Sequence, residues 1–178
     1  MTLRQAPGAR ATIVWEGKYI KVLQDGTWEY VSRARGIQAA VILAVADGHV
    51  LLVEQYRVPL GRRCLELPAG LVGDEDAGES VVASAARELE EETGYRAGAI
   101  TPLGFFHSSP GMVSEGFTLV RATELVRVGD GGGQGDEDIT VLRVPVDGLA
   151  DFVAAKRAEG VAIDVKLLLL LGAGMLAG

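Results

Sequence analysis

Gly73-Asp-Glu-Asp-Ala-Gly-Glu79, running on to Arg87-Glu-Leu-Glu-Glu-Glu-Thr-Gly-Tyr95, is the stretch whose reading decides the rest of the chain. If residues 80–93 are helical, Glu88, Glu91 and Glu92 fall at i, i+3 and i+4 and project side by side, while Val82, Ala85, Ala86 and Leu89 cover much of the opposite side. Between Glu79 and Arg96 there are five glutamates, balanced only by Arg87 and Arg96. Like charges about 4 Å apart at an effective dielectric near 20 repel by about 4 kcal/mol. A folded chain gathers such groups around a divalent cation or shifts their protonation, and hard oxygen donors suit Mg²⁺ or Mn²⁺. The competing reading is a solvated, Glu-rich surface helix. Such a helix places Lys or Arg four residues after Glu, whereas the positions four after Glu88, Glu90 and Glu91 are Glu92, Gly94 and Tyr95.

Composition bounds what surrounds this segment. With 178 residues, 48% of them apolar and 23% charged, the chain has room for one domain with a proper core, or one domain and a small appendage. A net charge of −7 excludes a general nucleic-acid or membrane-surface binder, because such binding grows from clustered Lys and Arg. A small anionic substrate is still compatible if a metal supplies local positive charge. Cys64 is the single cysteine, so no intrachain disulfide forms and a reducing cytoplasm is the expected compartment. The opening residues lack the apolar core of a signal peptide. The about eleven apolar residues after Lys166 fall short of the roughly 20 needed to cross a bilayer.

Turn chemistry and alternation divide the chain in two. Residues 1–35 read as a small antiparallel β unit, with strands over 12–15, 19–23 and 27–31 and a hairpin turn at Asp25-Gly26. A ribbon that small buries little area alone, so it is expected to pack against a second copy or across its own catalytic domain. Residues 36–178 form the second unit. Strands are expected over 38–45 and 49–56 around an Asp47-Gly48 turn, then a polar loop over 57–64 and a short strand over 65–67 ending at Pro68-Ala69-Gly70. Further strands follow over 100–107, 117–122 and 139–144, with helices over 149–157 and 164–175. The fold class is therefore α/β, an α/β/α sandwich with a mixed sheet. Asp130-Gly-Gly-Gly-Gln-Gly135 reads as an irregular, flexible arm running into Asp136-Glu137-Asp138. It either delivers a carboxylate on closure or is a solubilising connection.

The spacing Gly73, five residues, Glu79, seven residues, then Arg87 to Tyr95 resembles the Nudix box, the signature of hydrolases that cleave nucleoside diphosphates linked to another moiety. One departure stands out. The box commonly opens at the glycine of Pro-Ala-Gly, here Pro68-Ala69-Gly70, which is three residues too early and implies a three-residue insertion before Glu79. Pro110 lies fifteen residues beyond Tyr95, and this placement is similar to ADP-ribose pyrophosphatases. Glu54-Gln55-Tyr56-Arg57, Glu66-Leu67-Pro68-Ala69-Gly70 and Ile163-Asp164-Val165-Lys166 resemble the same subfamily, and the likeness extends over about residues 13 to 175.

The resemblance implies Glu88, Glu91 and Glu92 as ligands of Mg²⁺, with Mn²⁺ as a substitute and two or more ions in the site, and the Ala69 carbonyl completing the shell. It implies that Arg87 orients a box glutamate, that Glu79 supports it, that Glu90 faces solvent and that Glu137 is the general base, with Asp136 and Asp138 as neighbouring alternatives. Substrate contacts are expected from Arg57, Glu66, Pro110, Gly111 and Met112, and from Trp28, which would pack on the adenine bound by a partner subunit in a homodimer built through the N-terminal unit. Glu115 is expected either in the metal or phosphate shell or facing solvent; His49 and His107 are expected to be structural, and Trp15 to lie in the core. The implied activity is cleavage of ADP-ribose to AMP and ribose 5-phosphate. A hydrolase of another nucleoside diphosphate sugar, such as a GDP-sugar, is the near alternative. A non-catalytic ligand-sensing module is the distant one, because such modules generally lose box glutamates that are all present here.

Overall fold

In the central strand β4 (Gln38–Ala46) successive side chains serve two different cores, and this alternation builds the molecule. The computed structural model describes residues 11–73, 78–135 and 137–177. Val41 joins a cluster with Val50, Leu52, Leu65, Leu67, Leu149, Val153 and Leu167. Ala40, Ile42 and Ala44 join another with Leu51, Ala85, Leu89 and Val120. Helix α1 (Val81–Thr93) covers the second cluster, and helix α2 (Leu149–Ala158) with the turn before α3 (Leu168–Ala177) covers the first. Helices thus lie on both faces of the sheet, as the α/β/α reading expects.

The sheet also contains β5 (His49–Arg57), β6 (Arg62–Glu66), β7 (Ala69–Val72), β8 (Tyr95–His107), β9 (Gly116–Arg127), β10 (Ile139–Pro145) and β11 (Ala162–Ile163). Its main path runs β11-β6-β5-β4-β9-β8, with β10 on β5 and β7 on β4. β4 and β9 pair in parallel, as do β6 and β11, while β5 pairs antiparallel with β4, β6 and β10, so the sheet is mixed. The β4–β5 turn has both Asp47 and Gly48 at positive φ (49° and 71°), the pair of conformations a tight hairpin with this sequence demands.

A separate three-stranded antiparallel sheet precedes it: β1 (Thr12–Glu16), β2 (Ile20–Asp25) and β3 (Trp28–Arg33). Trp15, expected as core, is 54% exposed. Among the described residues the three-stranded ribbon has no second layer to cover it.

Several boundaries differ from the sequence reading: β8 begins at Tyr95 where a strand is expected from 100, and β9 runs on to Arg127 where its end is expected at 122. The expected polar loop over 57–64 is a one-turn connection at Val58–Leu60, with Gly61 at φ 63°, after which β6 begins at Arg62. Pro68-Ala69-Gly70 does not end a strand; Ala69 starts β7, which pairs Ala69 with Val41 and Gly70 with Ala40. The two-residue β11 is too short to give a periodic signal. The last helix is preceded by a tighter turn over Val165–Leu167, which the Asp164 side chain caps by accepting from Lys166 N at 2.7 Å. Among the described residues no helix is long and apolar enough to cross a membrane.

Candidate functional site

Helix α1 is delimited by its own sequence. Ser80 caps its start, with Oγ accepting from Ala83 N at 3.2 Å, and Gly94 ends it at φ 72°, its N–H donating to Glu90 O. The helix does not present apolar and acidic residues on opposite sides as expected. Val82 is exposed, and the buried side holds Ser84, Ala85, Leu89, Glu92 and Thr93. Glu92 therefore enters the interior beside Leu89, only 5% exposed, where Oε2 accepts from Ala69 N at 3.0 Å.

That placement sets the chemistry of the carboxylates. Burial lifts Glu92 to about 8, with the charges of Glu88 and Glu137 adding to the rise and the Ala69 N–H and Arg57 opposing it. Burial also lifts Glu88 to about 7, opposed by Arg87 and reinforced by Glu91 and Glu137. Gly70 lies directly against Glu88: a Cβ there would sit 2.0 Å from the Glu88 carboxyl carbon. Strand β7 and helix α1 can approach this closely only because position 70 has no side chain.

Arg87 is the chief correction to the charge argument. Its guanidinium meets, among the described residues, Glu79 through Nε at 3.2 Å, Glu91 through Nη1 at 3.0 Å and Glu88 through Nη1 at 3.1 Å, so the cluster is partly neutralised from within the helix. Its own pKa is raised, first by the hydrogen bond to Glu79. Glu90 points away from the cluster and pairs with Arg96 at 2.8 Å. In this arrangement no group of three or more His, Cys, Asp or Glu among the described residues is placed to hold a metal ion. The donor set is nevertheless all hard oxygen, and two of its carboxylates hold their protons more tightly than usual, first because they are buried and then because neighbouring carboxylates repel them.

Other candidate residues fall around this centre unevenly. Glu137, before β10, acts electrostatically on both Glu88 and Glu92, and its Oε2 accepts from Gln134 N at 2.9 Å. Asp138 is engaged by Arg63 at 2.7 Å, and Asp136 lies outside the described residues, as do positions 74–77 in the region of the expected insertion. Arg57 and Glu66 form a two-point pair, Nε to Oε1 at 2.6 Å and Nη2 to Oε2 at 2.7 Å, with Glu66 buried. Pro110, Gly111 and Met112 are exposed on the loop between β8 and β9, and Trp28 is exposed at the tip of the ribbon. Glu115 pairs with Arg33.

Two features escaped the sequence reading. Arg33, beyond the end of the expected third strand, ties the ribbon to the Glu115 loop. The glycine-rich segment, read as a flexible arm, is laid on the end of α1: Gly132 N donates to Glu92 O at 2.9 Å and Gly133 N to Glu91 O at 3.0 Å. Helix ends leave carbonyls unpaired, and here the glycines that take them lie far downstream in sequence, so no signal local to the helix marks the cap.

The family model for the NUDIX domain matches residues 34–162. The chain belongs to the NUDIX domain family. It is 43% identical over 88 residues to an ADP-ribose pyrophosphatase of Bacillus subtilis, a match covering 49% of this chain and 46% of that protein. It is 34% identical over 147 residues to a GDP-mannose pyrophosphatase of an Enterobacter species, covering 77% and 72%. The chain spans about half the length of several curated relatives, including the first of these. The crystal structure of an ADP compounds hydrolase superposes with a TM-score of 0.70 at 23% identity, covering 99% of this chain and 98% of that one, which establishes the shared fold. NUDIX hydrolases generally use divalent metals such as Mg²⁺, and the oxygen donors of α1 suit such an ion.

Proposed function

We propose that this NUDIX protein is a Mg²⁺-dependent hydrolase that splits the diphosphate of ADP-ribose into AMP and ribose 5-phosphate. The observation that carries the reading is the pair Glu88 and Glu92 within the matched domain, both raised in pKa, Glu88 pressed against Gly70 and Glu92 buried on the Ala69 N–H. Glu88, Glu91 and Glu92, with the Ala69 carbonyl, would hold two or more Mg²⁺ ions, with Mn²⁺ as a substitute. Bound there, the metal supplies positive charge to the diphosphate oxygens and acidifies water.

The chain's own residues do the rest. Glu137 accepts the proton of the attacking water as the new P–O bond forms and the bridging P–O bond breaks. Arg87 fixes the Glu91 carboxylate through the contact at 3.0 Å. Arg57, pre-aimed by Glu66, offers its remaining N–H groups to a phosphate oxygen. Pro110, Gly111 and Met112 border the substrate. Trp28 packs on the adenine bound in a second copy, because the ribbon that bears it leaves Ile13, Val14, Trp15 and Tyr19 more than half exposed for a partner to cover.

Turnover across ADP-ribose, GDP-mannose and other nucleoside diphosphate sugars, with AMP or GMP release followed by chromatography, tests the assignment. ADP-ribose is expected to have the highest kcat/KM. Negligible turnover of ADP-ribose beside rapid turnover of GDP-mannose would move the protein to the GDP-sugar reading. That alternative draws on the longer match to the GDP-mannose pyrophosphatase. No turnover of any of them would leave a binding module.

A further inference from the structure

The glycine-rich segment after β9 is held at both ends by specific bonds. Upstream, Val128 N and Gly129 N both donate to Gly94 O, at 2.8 and 3.1 Å. Next, Gly132 N and Gly133 N take the carbonyls of Glu92 and Glu91, which the helix itself leaves free. Downstream, Gln134 N donates to Glu137 Oε2 at 2.9 Å, and Glu137 N donates to Gln134 O at 3.2 Å.

The fit depends on the absence of side chains. Gly131, Gly132 and Gly133 have φ of 69°, 108° and 84°, a region L-residues rarely adopt. A Cβ on Gly131 would lie 2.5 Å from the Thr93 carbonyl carbon and 2.6 Å from Glu92 O, both rigid backbone. A Cβ on Gly133 would lie 2.4 Å from Glu137 Oε2 and 3.0 Å from Ile139 Cδ1.

We propose that Gly132 and Gly133 form a positioning clamp: they register the Glu137 carboxylate against the backbone of Glu91 and Glu92, so that base and helix acids move as one body. The inference rests on the reading of Glu137 as the base. Gly133 touches no substrate and acts through Glu137. The segment is thus a tether of fixed length, in contrast to the flexible arm its composition suggests.

The test is a double-mutant cycle between Gly133→Ala and Glu137→Gln, with kcat, KM and Mn²⁺ affinity measured for each protein. G133A is expected to lower kcat at least tenfold while KM and Mn²⁺ affinity stay within about twofold of wild type. In the E137Q background the same change is expected to cost less than about twofold, because the group it positions is already disabled. Gly135→Asn is the control: Gly135 has φ 60° with open space around it, and Asn tolerates that conformation, so its kcat should be unchanged. Should G133A fold poorly, one glycine inserted between Gly133 and Gln134 keeps both helix bonds, lengthens the tether and should lower kcat similarly.

If E137Q keeps full turnover, the base assignment fails and the clamp loses its object. If E137Q is impaired while G133A or the insertion is fully active, the base assignment stands and the clamp alone is refuted. An equal loss on adding G133A to wild type and to E137Q also refutes it.

Discussion

Arg33 of β3 and Glu115, 82 residues apart in sequence, are joined by two hydrogen bonds, Nε to Oε1 at 2.8 Å and Nη2 to the same oxygen at 2.5 Å. The pair closes a short splice in which Val31 N donates to Met112 O and Ser114 N donates to Val31 O. The N-terminal ribbon is therefore fastened to the very loop that carries Pro110, Gly111 and Met112. Both side chains are about one-third exposed, so the ion pair itself contributes about 1 kcal/mol or less. Arg33→Met should lower Tm by no more than about 2–4 °C. Amide exchange at Val31 and Ser114 should nevertheless quicken, and KM should rise several-fold with little change in kcat. The swapped variant Arg33→Glu with Glu115→Arg should recover most of both effects. An unchanged exchange rate in Arg33→Met would show that the backbone bonds hold the loop without the pair.

Arg57 and Glu66 should respond unequally to removal. Glu66 is buried and Arg57 is 43% exposed along its side chain, so deleting the arginine strands a buried carboxylate, whereas Glu66→Gln leaves a cation that water can reach. Arg57→Ala should destabilise more than Glu66→Gln by about 1–2 kcal/mol in urea unfolding. If Arg57 also meets phosphate, Arg57→Ala raises KM and Arg57→Lys, which cannot reproduce the two-point contact, rescues it poorly. Equal urea midpoints for Arg57→Ala and Glu66→Gln would contradict the argument.

Local signals carried the sequence reading furthest. Ser80 and Gly94 bracket α1 with a cap at each end, and Asp47-Gly48 names its own hairpin, so these elements were legible from a few adjacent residues. Glu88, Glu91 and Glu92 were legible as one patch from helical spacing alone. What spacing could not supply was the surroundings: Glu92 lies on the buried side because β7 packs there, and β7 exists through pairing with β4. The same limit hid Arg33, whose partner is 82 residues away, and the glycine cap, whose acceptors belong to a helix three dozen or so positions upstream. Trp15 misled in the other direction, since an aromatic residue signals burial only where a second layer exists to bury it.

Gly70 offers a steric test of the site. A methyl group at this position would overlap Glu88 Cδ, Cγ and Oε1 at 2.0–2.1 Å, so Gly70→Ala must push either the side chain of Glu88 or the whole of β7 away. Mn²⁺ affinity should fall more than tenfold, read by electron paramagnetic resonance titration, with a stability loss of about 1–3 kcal/mol. Retention of wild-type affinity would mean that Glu88 takes no part in holding metal.

The raised acids make stability and metal binding depend on pH in opposite directions. Glu88 and Glu92 move from an ordinary value of 4.5 to about 7 and about 8 in the folded chain, so the native state holds protons that the unfolded state has already lost. Their contribution to stability is fully present below the unfolded value of 4.5 and is lost as pH rises through 7 and 8. Metal-free protein should therefore show a urea midpoint that falls between pH 5 and pH 8.5. Mn²⁺ reverses the sign, because it binds the deprotonated carboxylates and must displace those protons. Calorimetric titration in two buffers of different ionisation enthalpy should register about one to two protons released per site at pH 6 and close to none at pH 9. Glu92→Gln, which removes the more strongly shifted group, should cut the release at pH 6 by about half and flatten the metal-free stability profile. A metal-free midpoint that rises with pH, or binding without proton release at pH 6, would mean that these carboxylates are already ionised in the folded protein and that burial does not govern the site.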